Sequence, residues 1–222
     1  MRAIAEVIFL VFIIGNIALC EEFEGIIVYK FLSKDITNIG KVLMKKQKMK
    51  MIPEKEITET NKGYPIIDFE SKKGIFISTT DKYYMELPLE IMIKNVENNP
   101  ITPKEAGIEN YLNINTKKYL YHDKEYTIEA LATEDIKPGL NPFIGIQRLG
   151  EEGLLVSKIS HFFYQNNMLP LRIIVKNKNG ETLISIQAIS ISSEKINNRE
   201  FEIPQGYIKL SEIMKEKAKR SK

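Results

Sequence analysis

The sequence has no tryptophan, one cysteine and two histidines among its 222 residues. A disulfide framework needs paired cysteines, so this fold must be held by its core. A zinc site needs clustered ligands, yet His122 and His161 stand far apart and in no H-x-x-x-H or H-E-x-x-H spacing. G-x-S-x-G, G-x-G-x-x-G, P-loop and EF-hand patterns are all missing, which removes the commonest hydrolase, nucleotide and calcium readings. Carboxylates are numerous but scattered, and Glu151-Glu152 lies between Gly150 and Gly153 in what reads as a loop. No positioned acid–base pair can be picked out, so the expectation is a non-enzyme without cofactor or metal, with a hydrolase whose carboxylate pair the fold brings together as the alternative. With 12 glycines and 9 prolines the chain is neither fibrous nor disordered. Its net charge of +3 is mixed in sign and gives no reason to expect nucleic acid as a partner.

What is present begins with an apolar run from Val7 to Ala18, behind a short head carrying Arg2. The run is shorter than the ~20 residues of a membrane-spanning helix and fits a secretory signal over residues 1–20. Ala18-Leu19-Cys20 supplies small residues at −3 and −1 for cleavage before Glu21. Cys20 is the alternative lipid acceptor of an anchored lipoprotein, although Leu19 departs from the small residue that such processing wants. Either way the protein is expected outside the cytoplasm, in the periplasm or beyond, with a single domain over 21–210 and a basic tail over 211–222.

From Phe23 onward the dominant pattern has period two. Phe23 to Leu32 carries apolar residues on both faces, and Thr37-Asn38-Ile39-Gly40 reads as the turn to a second strand over Val42–Met51. Short hairpins follow over Ile66–Glu70, Gly74–Thr79, Lys82–Leu87, Lys117–His122 and Tyr126–Thr133. Leu171–Lys176 and Thr182–Ser192 flank Asn177-Lys178-Asn179-Gly180, whose Asn-Gly pair suits a tight turn. A terminal strand is expected around Arg199–Ile203, for about nine to eleven antiparallel strands in all. Helical signals are few. Leu89, Met92, Ile93 and Val96 have helical spacing, Thr102-Pro103-Lys104-Glu105 is a capping-box pattern, and Asn141-Pro142 can open a third helix bearing Phe143, Ile146 and Leu149. The class is α+β with one large antiparallel sheet.

Met49 and Met51 share one strand face while Lys46, Lys48 and Lys50 take the other. Paired thioethers suit Cu(I), but methionine packed on the inner face of a sheet is the more ordinary reading. The lysine row is a solvated face or a docking surface for acidic partners or lipid headgroups.

Three segments together resemble a family of exported bacterial domains of unknown function: Phe23-Glu24-Gly25-Ile26-Ile27, the hairpins around Ile66-Ile67-Asp68-Phe69 and Lys82-Tyr83-Tyr84-Met85, and the ending Phe201-Glu202-Ile203-Pro204-Gln205-Gly206-Tyr207. The ending, F-x-I/L-P-x-G-Y, is the most specific. Between Lys117 and Ile136 the chain lacks the Cys and Trp that this family tends to carry. The family is similar in turn to the outer-membrane lipoprotein carriers of the LolA-like and LolB-like kind. That resemblance implies a large curved antiparallel sheet, an incomplete barrel, with a few short helices as a lid over an apolar cleft. On such a fold Ile27, Tyr29, Phe31, Met49, Met51, Tyr83 and Met85 become the residues expected to line the cleft. The partner expected is a hydrophobic ligand (a lipid, an acyl chain or a lipidated peptide) bound by a monomer, with membrane-surface contact. The alternative is an envelope sensor or scaffold that binds a protein. Phe201, Pro204, Gly206 and Tyr207 form a structural motif that fastens the C-terminus, Pro204 ending a strand and Gly206 permitting the bend.

Overall fold

The structure is a computed structural model and describes residues 22–34, 36–54 and 63–220. The expected signal segment 1–20, with Cys20, lies outside the described residues. Among the described residues twelve strands form one sheet. Six run outward from the centre: β1 (Glu24–Ser33), β2 (Ile36–Lys45), β3 (Lys48–Pro53), β4 (Gly63–Asp68), β5 (Lys73–Ser78) and β6 (Tyr83–Leu87). Five more return from the far edge: β7 (Lys104–Tyr111), β8 (Ile114–His122), β9 (Tyr126–Thr133), β10 (Leu169–Asn177) and β11 (Thr182–Ser193). The two meanders meet where β1 pairs with β11, and the short β12 (Ile208–Lys209) adds to β6 in parallel. The sheet is curved and does not close. Its curl is strong enough that Arg172 on β10 and Glu109 on β7, three strands apart, make an ion pair at 3.3 Å.

The chain crosses the sheet twice. It leaves β6 through helix α1 (Leu89–Glu97), on the face that also carries a 3-10 helix (Ile144–Leu149) and helix α2 (Glu151–Gln165), and so reaches β7 at the opposite edge. After β11, residues 194–207 return over the other face as a strap. Lys45 Nζ donates to Ile196 O at 2.6 Å, and Lys50 pairs with Glu200 at 2.8 Å. Glu24 Oε1 accepts the Ile196 N–H at 2.6 Å; that bond first, and Lys45 second, hold the carboxyl below its ordinary range. Helix α3 (Leu210–Arg220), in the expected basic tail, then packs on β6.

Local chemistry explains the opening motif. A Cβ on Gly25 would sit 2.1 Å from the Ser192 carbonyl oxygen, so this end of the β1–β11 ladder, ahead of the bulge after Val28, admits only glycine. The Phe23 ring lies over the space thus left, its Cζ 2.7 Å from that Cβ position.

Several expectations are corrected. Thr37 to Gly40 lies within β2, paired with Leu32 to Tyr29. The predicted strand Val42–Met51 is a hairpin, broken at Lys46-Gln47, where Lys46 takes φ 52° without a turn-type residue to announce it. The capping-box pattern at Thr102 begins no helix: Gly107 weakens a helix there, and the segment pairs with β8 instead. Residues 199–203 are not a strand, because they cross a sheet face and have no edge to pair with. Asn198–Phe201 is a 3-10 turn whose Asn197 Oδ1 accepts from Arg199 N–H at 3.0 Å. Gly206 does take a positive φ, 84°, and Tyr207 N–H closes the turn onto Pro204 O at 3.4 Å. Pro204 therefore precedes the last strand rather than ending one.

Candidate functional site

The place to look for a ligand is the layer between the sheet and α1, α2 and the first 3-10 helix. By register all seven residues expected to line a cleft project from this face. Ile27, Tyr29 and Met49 are wholly buried in the main core, and Phe31 and Met51 pack partly buried against it. Tyr83 and Met85 are half-buried on β6.

Helical side chains fill the space above them. Phe143 and Phe163 are at most 2% exposed. Phe143 meets Tyr29 edge-on with ring centroids 5.0 Å apart, and Phe163 meets Tyr119 in the same way at 5.1 Å. The buried hydroxyls are satisfied: Tyr29 Oη donates to Pro170 O at 3.0 Å and Tyr119 Oη to Met168 Sδ at 3.4 Å. Burial pushes the Tyr29 phenol up, which keeps it a proton donor at any physiological pH. A polar clasp seats α2. Asn141 Oδ1 accepts from Phe143 N–H and from Ser160 Oγ, its Nδ2 donates to Ser157 O, and Ser157 Oγ donates to Phe143 O. The Asn141-Pro142 segment, expected as a helix start, thus serves to lock the lid loop onto the next helix.

Two polar clefts flank α2. One, of about 380 Å³, lies between the end of α1 and the start of α2 and is lined by Asn95, Asn98, Asn99, Gln147, Glu151 and Lys158. The other, of about 470 Å³, lies at the far end of α2 beside Glu22, Lys137, Tyr164, Gln165 and Asn167. Among the described residues no three His, Cys, Asp or Glu side chains are grouped to hold a metal ion, and no helix is long and apolar enough to cross a membrane.

Sequence reasoning missed α2, reading Glu151-Glu152 as a loop. Two signals were available: acidic residues suited to a first helical turn, and Leu155, Ile159 and Phe163 spaced four apart. Both were masked because α2 is buried on most sides, which blurs a helical stripe.

His161 of α2 is 8% exposed, and its Nε2 has no hydrogen-bond partner among the described atoms. Desolvation holds the imidazole below its ordinary range, offset in part by Glu97. The unfolded chain takes up this proton near pH ~6.5 while the folded chain resists it. Stability from this group is therefore complete above that pH and declines as pH falls through it, by up to ~1.4 kcal/mol per pH unit. Urea unfolding of wild type and His161→Gln at neutral and mildly acidic pH should show the smaller acid loss in the variant.

A family model described as Domain of unknown function (DUF4412) matches residues 23–207. Among solved structures the chain is similar to an uncharacterized conserved protein from Thermus thermophilus, with a TM-score of 0.53 and 7% identity over 83% of this chain and 88% of that one. It is also similar to MucB, with a TM-score of 0.49 and 8% identity over 88% and 62% of the two chains. For PNGF-II the values are 0.49 and 16%, over 86% and 32%. No curated protein sequence matches the chain. The Thermus likeness shows the fold: an open, curved sheet with helices on one face.

Proposed function

We propose that this chain, which belongs to the DUF4412 family, is an exported, non-catalytic binding protein of the bacterial envelope that holds a protein partner on its outside. The observation that carries this reading is the filled layer between sheet and helices. An acyl chain gains ~0.8 kcal/mol per buried CH₂, but only where it finds space. Here Phe143 and Phe163 already take up that position against Tyr29 and Tyr119. A lipid would have to displace several fully buried side chains and break the Asn141 clasp, so the carrier reading gives way to the sensor or scaffold. Export is supported by the Val7–Ala18 run and its cleavage site. The end group at Glu21 or a diacyl adduct on Cys20, read by mass spectrometry, decides between a released and an anchored product.

The functional test is native mass spectrometry with lipid extraction on protein purified from its own envelope. It is paired with photo-cross-linking in the same cells from exposed positions on several faces. Lipid-free protein together with one recurrent cross-linked protein is the expected result. Stoichiometric lipid without a cross-linked protein would restore the carrier.

A further inference from the structure

Resting on the protein-binding reading, we infer that the free edge of β7 takes the partner as an added strand: an extended segment with an apolar residue opposite Ile108 and a basic residue beside Glu105. The chain treats the two edges of its sheet differently. At the β6 edge, Ile208 N–H donates to Lys82 O at 3.1 Å, β12 pairs with Tyr83 and Tyr84, and α3 packs alongside. At the other edge, among the described residues, β7 pairs with β8 on one side only, leaving a row of outward N–H and C=O groups. Such a row is a template for another strand.

Side chains give that template its selectivity. Ile108 is 78% exposed, more than any other large hydrophobic residue among the described ones. A register shift between Glu105 and Gly107 leaves Ala106 as the bulged residue. In its consequence Glu105 stands opposite Tyr119 and Ile108 opposite Lys117, two residues apart on β8, so both point to one face. Glu109 points to the other face and is already tied to Arg172 at 3.3 Å. The exposed acid and the exposed apolar side chain thus lie together on one face of an open edge, whereas Lys104 on the opposite face disfavours a second cation there. A segment with a basic and an apolar residue two positions apart, both turned to the face of Glu105 and Ile108, matches this pattern, and the same segment with an acidic residue in place of the basic one does not.

The test uses the exported protein and a capped peptide about eight residues long to match the strand, with threonine at every second position and lysine and valine taking turns between them, so that lysine and valine share one face. Amide hydrogen exchange followed by NMR should slow about tenfold along β7 on saturation, with β12 and β6 unchanged. The same peptide with glutamate in place of lysine should bind about tenfold more weakly. The exposed substitution Glu105→Lys should narrow that preference about fivefold while leaving the circular dichroism of the protein intact. The lysine-bearing peptide with alternate backbone nitrogens methylated should give no protection. Equal binding of the methylated peptide, or protection confined to another surface, would overturn the inference. Should a cross-linked partner be found while β7 stays unprotected, the edge assignment falls and the protein-binding reading stands. Conversely, protected β7 amides in a protein that carries stoichiometric lipid would sink that reading and leave the edge as a peptide site.

Discussion

Phe163→Ala is expected to destabilise the protein by about 3–5 kcal/mol, a large part of the ~5–15 kcal/mol that holds an ordinary domain. Phe163 is fully buried on α2, edge-on to both Tyr119 and Phe162, with centroid separations of 5.1 and 5.5 Å. Removing its ring costs the transfer energy of the apolar atoms and leaves a cavity that the surrounding sheet cannot collapse to fill. The same substitution separates the two readings of the interior. Were the layer a vacant cleft with a loose lid, the ring would make few contacts and its removal would cost about 1 kcal/mol or less, as at a site away from packed features. Urea denaturation followed by far-UV circular dichroism measures the difference, and an unchanged slope confirms that the loss is in stability rather than in compactness of the unfolded state.

The architecture was legible where periodicity is local and one-sided. The alternation from Phe23 to Leu32, the Asn-Gly turn after Lys176 and the short hairpins from Ile66 to Leu87 all correspond to strands in the structure. The helix over Leu89–Glu97 was visible because it buries only Leu89, Met92 and Val96 on one stripe. What could not be read was set by tertiary context. The hairpin at Lys46-Gln47 lacks a glycine or asparagine, so its positive φ is imposed by the ladder that Met44 and Met49 share. The path of residues 194–207 depends on Lys45 and Lys50, about 150 positions away in the chain. The same limit applied to the site. The apolar faces of β1 and β3 were identifiable, but whether a ligand or Phe143 covers them is decided by helices whose position no local pattern encodes.

Ending the chain at Ser193 is expected to abolish the folded state, whereas ending it at Lys209 should cost about 1 kcal/mol, a Tm shift of ~2–4 °C for a domain of this size. The difference lies in the strap. Leu43, Ile66 and Ile77 are at most 6% exposed, although the register turns them away from the helices. What covers that face is the segment from Glu194 to Tyr207, led by Ile196, itself 6% exposed. Ile196→Ala alone should cost about 2–5 kcal/mol if the site stays rigid. Loss of the whole strap also exposes the apolar patch around Leu43 and Ile66, leaves Lys45 and Lys50 without Ile196 O and Glu200, and uncaps the β6 edge by removing β12. An uncovered sheet face beside an uncapped edge invites aggregation as well as unfolding. Helix α3 contributes less, since Leu210 and Ile213 are only half-buried and Met214 is 64% exposed. Thermal melts and light scattering of the two truncations discriminate sharply. If the Lys209-terminated chain unfolded as readily as the Ser193-terminated one, α3 would be the fastening element, and the Phe201–Tyr207 motif would be only the path leading to it.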